Sequence, residues 1–463
     1  MKCNPKIGLT VCIMGMATWG WAQEAMRIDQ GIKTLDTATA RLTLQRVEQD
    51  VVDQRYSLMD CIELALEENF AVRIARNQWD VAKNNVTPAP FLPSLSLSAR
   101  QTQTINHTYQ EYPDQSTARV DSRSDDYRVG PTFSWRLFDG FAMFSSYAKQ
   151  KELQASGELN FRLSVENMVM ALSNQYYQII TLHNQVDLVR QLVAISRLRY
   201  EQALLKYDLG SISGLECQQA KIYFNADSSS LLVQKQNLSN AYVKLCRIMG
   251  ASYDSGILIK DTIVPETRLA IDQLQASMLQ KNTELLLMRQ GQVISGYDLK
   301  LARASRYPVL DFSTGYTLSA VNTPLSTSIR YNETNGYNWG FSLSIPIFNG
   351  FTINRQIKNA QLGVARSDLQ YGQLEHNLNS ALIQEYNIYV NNIQMIDFES
   401  QNAEVAYSNV DAAMEKYRLG SLSGIEFRDI QLNYLNAVDR KLRAIYQAKL
   451  SEVALLVLAG AIF

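Results

Sequence analysis

The spacing of apolar and polar positions changes several times along this chain, and each change marks an element. The segment Ser57-Leu-Met-Asp-Cys-Ile-Glu-Leu-Ala-Leu-Glu-Glu-Asn69 sets Leu58, Ile62, Ala65, Leu66 and Asn69 on one helical face, behind a serine suited to cap it. The pattern predicts a helix to about Asn85. Thr87-Pro-Ala-Pro90 then stops it, because proline lacks an amide proton and moves the residue before it out of the α region. Period two takes over. Leucine and serine alternate through Ser94-Leu-Ser-Leu-Ser-Ala99, and after a polar loop Phe133, Trp135 and Leu137 oppose Thr132, Ser134 and Arg136. This predicts a hairpin over 91–138 with one apolar and one polar face. A second hairpin, over 307–348, is cleaner. Leu310, Phe312, Tyr316 and Leu318 alternate with Asp311, Ser313 and Thr317; on the return Tyr337, Trp339, Phe341, Leu343 and Ile345 face away from Asn338, Gly340, Ser342 and Ser344.

Long seven-residue stripes follow both hairpins. Leu172, Ile179, Val186, Val193, Tyr200 and Tyr207 form the first, and Leu382, Tyr389, Ile396, Ala403, Val410 and Tyr417 the second, each 210 positions after its counterpart. Such stripes mark helices wound on neighbours, here on the order of 100 Å long at 1.5 Å per residue. Each stripe ends in a doubled motif, Lys206-Tyr-Asp-Leu-Gly-Ser-Ile-Ser-Gly-Leu-Glu216 and Lys416-Tyr-Arg-Leu-Gly-Ser-Leu-Ser-Gly-Ile-Glu426, whose glycines and serines permit a tight reversal. Leu137-Phe-Asp-Gly-Phe141 and Ile347-Phe-Asn-Gly-Phe351 share the same offset. The chain is therefore one unit written twice, at 57–250 and 268–463, joined by a connector at 251–267 rich in Gly, Asp and Ser. The order within each copy is helix, hairpin, long helix, turn (207–214 or 417–424), helix.

Composition narrows the class. Residues 1–22 read as a secretory signal, with Lys2 and Lys6 ahead of an apolar run from Ile7 to Ala17, and 23–56 as a polar extension without clear period. Beyond the signal no stretch approaches ~20 apolar residues, which excludes membrane-spanning helices but not a β-barrel, whose strands alternate. Without Lys2 and Lys6 the 44 basic residues fall to 42 against 45 acidic ones, a net charge near −3 that argues against nucleic acid. Cys61, Cys217 and Cys246 remain after the signal, an odd, irregular set that reads as apolar packing. His107, His183 and His376 are not spaced for metal, and no Gly-rich phosphate loop is present. No catalytic residue, cofactor or metal is expected.

Four strands with one apolar face cannot sit in a bilayer alone, because open edges would leave backbone amides unpaired in hydrocarbon. Other copies must close them. Two chains supply eight strands, filled by side chains, while three supply twelve and a passage. The aromatic residues at the loop end of the second hairpin stand where an interfacial girdle would lie.

The opening Ser57-Leu58…Ala65-Leu66-Glu-Glu-Asn69 segment, the strand end Pro346-Ile-Phe-Asn-Gly350 and the doubled Tyr-x-x-Gly turn resemble the TolC-like outer membrane efflux protein family over residues 57–463. The first copy departs at the strand end, with Arg136 in place of proline. The resemblance implies an α+β membrane protein of the cell outer membrane. In it a homotrimer forms a twelve-stranded transmembrane β-barrel, continuous with a long periplasmic α-helical coiled-coil barrel. It implies a passive exit duct for efflux or type I secretion, opened by a periplasmic adaptor and an inner-membrane pump. Tyr207, Leu209, Gly210 and Ser213, with Tyr417, Leu419, Gly420 and Ser423, would form the adaptor-docking tip. Glu426 and Asp429, with Glu216 as first-copy equivalent, would constrict the pore. Glu426 and Asp429 are three apart and share a helix face, so three chains would crowd six carboxylates at one neck and raise some of their pKa values. The same pair also suits a solvated helix start. A structural or adhesive coiled-coil protein of the envelope is the alternative from another class.

Overall fold

A computed structural model describes residues 55–253, 258–259, 261–266, 268–325 and 328–461. The signal and all of the extension but its last two residues lie outside the described residues. The first copy comprises α1 (Leu58–Glu68), α2 (Phe70–Asn84), β2 (Ser94–Glu111), β3 (Thr117–Phe138), α3 (Ala142–Asp208) and α4 (Gly214–Met249). The second comprises α5 (Ile271–Lys281), α6 (Thr283–Ala304), β5 (Val309–Asn322), β6 (Tyr331–Ser344), α7 (Thr352–Arg418) and α8 (Gly424–Leu458). A short strand β1 (Arg55–Tyr56) pairs in parallel with β4 (Leu258–Ile259), a contact the sequence pattern did not announce.

The first helix is not continuous to Asn85. Ser57 opens α1 with a capping box to Asp60, but Asn69 takes extended backbone and ends it. The Asn69 side chain accepts from the Val72 amide at 3.0 Å, starting α2, and donates to the Ile248 carbonyl at 2.6 Å. Asn282 repeats both bonds in the second copy, to the Leu285 amide at 3.1 Å and the Leu458 carbonyl at 3.0 Å. Asn69, placed by periodicity on the apolar face, thus serves as a cap that ties a helix break to the end of α4.

Helices α3 and α7 are 67 residues each, on the order of 100 Å. Two cores form where the shorter helices pack on them. One gathers Leu172, Tyr176 and Ile179 with Cys61, Ala65, Leu245 and Met249; the other gathers Leu382 and Tyr389 with Met278 and Leu455. Cys61, Cys217 and Cys246 are free, and burial, then the nearby Asp60 and Asp261 charges, pushes the Cys61 thiol up to about 12. The seven-residue stripe does not stay buried in α3. Leu172, Ile179 and Val186 are buried, Val193 and Tyr200 half-buried, and Tyr207 exposed, while Ser196, Arg199 and Ala203 take the inner positions. A helix of 3.6 residues per turn drifts against a strict seven-residue repeat, so the contact line moves to other residues toward the turn.

The strands form one antiparallel sheet in the order β2-β3-β5-β6, leaving β2 and β6 as open edges. β2 and β3, of 18 and 22 residues, are longer than the alternating segments suggested. The expected polar loop is mostly paired strand, in register out to Glu111 with Thr117. Because β3 pairs with β5 only from Phe138 to Asp125, residues 104–124 project as a two-stranded arm, polar on both faces and so without apolar alternation. Within the sheet, Leu95, Leu97, Val129, Phe133, Trp135, Phe312, Phe341 and Leu343 share the apolar face. Aromatic residues form a continuous patch rather than a single row at the loop end: Tyr316 and Tyr337 pair toward the loop, Phe133 and Trp339 flank Thr314 at the next level, and Trp135, Phe312 and Phe341 align toward the helices. The span from Leu310 to Leu318 is roughly 27 Å of strand, which at a barrel tilt of ~40° covers about 20 Å of an apolar band ~25 Å tall. No helix among the described residues is long and apolar enough to cross a membrane.

Phe-(Asp/Asn)-Gly-Phe converts strand into helix. Gly140 and Phe141, and again Gly350 and Phe351, all have positive φ (68°, 68°, 60° and 62°), so two successive left-handed residues swing the chain around. Asp139 and Asn349 then accept from the amides of Met143 and Ile353, at 3.1 and 3.5 Å, capping α3 and α7. Phe138 packs edge-on against Phe141, as Phe348 does against Phe351, which helps hold a non-glycine residue in a conformation costing ~1–3 kcal/mol.

Candidate functional site at the paired turns

At the far end of the long helices the doubled motif folds the same way twice. Gly210 (φ 72°) and Gly420 (φ 77°) are left-handed, and at both positions the space a Cβ would occupy is open, with no neighbouring atom within 4 Å. The Gly210 amide donates to the Tyr207 carbonyl at 2.9 Å and the Ser211 amide to Lys206 at 2.8 Å. Gly420 and Ser421 repeat these bonds to Tyr417 and Lys416, at 3.1 and 2.9 Å. This is the helix-ending arrangement that a glycine just past the last turn makes possible. Ser213 and Ser423 start the next helices, accepting from the Glu216 and Glu426 amides at 3.3 and 3.2 Å.

The two turns differ at the acidic residue that opens the second helix. The Glu426 carboxylate folds back to accept from the Ser423 amide and hydroxyl, at 3.0 and 2.8 Å, completing a capping box. Those bonds, the backbone one first, hold its carboxyl below the usual carboxylate range. The crowding expected from three chains would act against a group already tied down within one. Asp429 and Glu216 are both exposed.

Several of the expected residues come together. A cavity of about 390 Å3 between the turns is lined by Glu216, Tyr417, Gly420 and Ser423, with Arg199 and Lys206. Tyr207, Ser213, Glu426 and Asp429 do not line it, and Leu209 and Leu419 project from the end, 80 % and 82 % exposed. Two uncovered leucines at adjacent helix ends give an apolar tip beside a polar groove.

A network that no motif marked lies behind the groove. Arg428 clasps Asp227 through two bonds of 2.7 and 2.8 Å, with side chains 12 % and 4 % exposed, and the Ser196 hydroxyl donates to the same carboxylate. Arg199, 6 % exposed, rests on the rings of Tyr223, Tyr417 and Phe427. Gly424 leaves room for it, since a side chain there would come within 2.6 Å of its guanidinium. Residues of α3 and α4 are thereby tied to α7 and α8. Asp227 and Arg428 are 201 positions apart, so no local spacing pairs them.

Residues 61–251 and 274–461 each match the family model described as "Outer membrane efflux protein". The chain is 21% identical over 416 residues to the outer membrane protein TolC of Escherichia coli (strain K12), covering 87% of this chain and 82% of that one. It is 21% identical over 399 residues to the proteases secretion protein PrtF of Dickeya chrysanthemi, covering 83% and 84%. Among solved structures, the Campylobacter jejuni CmeC outer membrane channel superposes with a TM-score of 0.72 at 15% identity, over 88% of this chain and 86% of that one.

Proposed function

This chain belongs to the outer membrane efflux protein family, and from that membership together with its open-edged sheet we propose how it works as an outer membrane exit duct. The observation that carries the mechanism is a four-stranded sheet, apolar on one face, polar on the other and unpaired at β2 and β6. An open edge in hydrocarbon strands backbone donors and acceptors at several kcal/mol per group, on the order of tens of kcal/mol per edge. A second copy relieves this when its β6 pairs with β2. Closure with three copies gives twelve strands and a water-filled interior lined by the polar face; two copies would give a barrel plugged by side chains.

The helices continue that passage into the periplasm. Their length, on the order of 100 Å, carries the paired turns far from the sheet. The exposed leucines and the groove beside them suit docking by the end of a periplasmic adaptor, with Tyr207, Leu209, Gly210 and Ser213 on one turn and Tyr417, Leu419, Gly420 and Ser423 on the other. Glu426, Asp429 and Glu216 ring the entrance and favour cations. The duct does no chemistry; an inner-membrane pump supplies the work through the adaptor. PrtF is named for the secretion of proteases, and CmeC is described as an outer membrane channel.

Reconstitution into a planar bilayer tests the reading. Discrete conductance steps from particles containing three chains are the expected result. A monomer that leaves the bilayer silent would refute it and favour an envelope coiled coil.

A further inference from the structure

The polar face of the sheet has its own charge pattern, separate from the turns. In register across β2, β3, β5 and β6 it presents serines, threonines, asparagines and glycines with only five charged residues: Arg100, Asp126, Arg128, Arg136 and Asp311. Arg128 is held by Asp126 through bonds of 2.9 and 3.2 Å. Arg136 is held by Asp311 at 3.0 Å. Arg100 has no ion-pair partner among the described residues. It stands directly opposite Arg128 in the β2–β3 register. Two like charges facing each other across strands destabilise a sheet, and a neutral residue at either position would remove that cost.

The surroundings of the pair are shaped to receive something. A cavity of about 470 Å3 on this face is lined by Arg100, Arg128, Asp126, Ser98, Thr102 and Thr132, among others, so two guanidiniums, one of them paired with the Asp126 carboxylate, stand among hydroxyl donors. Gly130 forms part of the same wall; a side chain there would come within 2.1 Å of the Tyr316 carbonyl oxygen. The chemistry matches an anionic group, a carboxylate or phosphoryl, held by guanidinium and hydroxyl donors.

We infer that Arg100 and Arg128 form a cationic girdle on the lumen wall of the barrel, a resting site for anionic groups of cargo late in its passage. This rests on the duct reading, since only closure of the sheet turns the polar face into a lumen. With three copies, three uncompensated guanidiniums stand at one level, each beside an Arg128–Asp126 pair. The girdle opposes the acidic entrance, so the two ends of the duct sort charge in opposite senses.

Salt dependence is the signature, because a wide passage feels wall charge only within a Debye length, ~30 Å at 0.01 M and ~3 Å at 1 M. The experiment is reversal potential in planar bilayers under KCl gradients, in a Glu216→Gln, Glu426→Gln, Asp429→Asn background that removes the entrance charge. At low salt this parent favours chloride. Arg100→Gln shifts the reversal potential toward cations, Arg100→Glu shifts it further, and Arg100→Lys retains the parent's value. At 1 M salt the four coincide. Tripolyphosphate added from the exterior blocks the parent roughly tenfold more tightly than Arg100→Gln at low salt, as expected for losing one guanidinium a few ångströms from a multivalent anion. If the parent conducts in steps but Arg100→Gln matches it at low salt in both reversal potential and block, the girdle is wrong and the duct stands. If the wild-type chain gives no steps, duct and girdle fall together.

Discussion

Replacing Asp227 by asparagine should loosen the turn end of the molecule while leaving the sheet intact. Asp227 is 3 % exposed and receives both Arg428 bonds and the Ser196 hydroxyl. The guanidiniums of Arg199 and Arg428 lie 5.2 and 5.3 Å from the centre of the same Tyr223 ring, so neutralising Asp227 leaves two nearly buried cations around one ring without the carboxylate. Removing one partner of a buried pair costs about 3–5 kcal/mol. Asparagine keeps one acceptor oxygen, which favours the lower end, about 3 kcal/mol, or roughly a hundredfold in the balance between packed and separated helix pairs. The pair links α4 to α8, and the sheet is formed by other residues, so the cost falls on the turns. The assay is single-channel recording beside limited proteolysis of the turn region, run as a double-mutant cycle with Arg428→Gln. More frequent opening and faster cleavage near the turns are expected for each single variant, with the double variant well short of the sum. Wild-type opening and cleavage in Asp227→Asn, or costs that simply add, would refute the reasoning.

Valine at Gly210 and Gly420, where φ is 72° and 77°, should disrupt both helix reversals and abolish efflux, while native gels still show trimers; unchanged efflux would count against the docking role. Glu426→Gln should keep the capping box, which accepts glutamine, while lowering the cation preference at low salt through loss of charge. Because hydrogen bonds lower the folded pKa of Glu426, its contribution to the turn is complete above the ordinary carboxylate range and disappears as pH falls through the lowered value. Protection of the amides near Ser423, measured as exchange relative to the unstructured peptide at the same pH, should fall only in that acid window, and its loss at neutral pH would contradict the cap. Asn69→Ala should cost about 1–2 kcal/mol of thermal stability through the lost cap and the bond to Ile248, with Asn282→Ala costing a similar amount; denaturant midpoints check both.

Much of this architecture is legible in the chain because its parts are periodic and doubled. Alternation in Leu310–Leu318 and Tyr337–Leu343 places side chains on alternate faces whatever surrounds them, as a strand's geometry requires. Glycine followed by Ser-x-Ser marks a reversal because few residues accept its left-handed backbone. Four strands apolar on one face already demand partners, since backbone groups cannot stay unpaired in lipid.

Other features depended on contacts between distant segments. Asn69 occupies a helical-face position by count, and its role as a cap appears only where the Ile248 carbonyl meets it. The polar stretch 104–124 gives no apolar alternation, so its pairing rests on cross-strand register rather than on composition. Arg199, Asp227 and Arg428 read singly as ordinary helix residues, and Arg100 as an ordinary strand arginine. Packing of α3 and α4 against α8 buries the first group, and the register of β2 on β3 sets Arg100 against Arg128. Periodicity records which way a side chain points along its own element, whereas charge pairing depends on which atoms another element brings within about 3–4 Å.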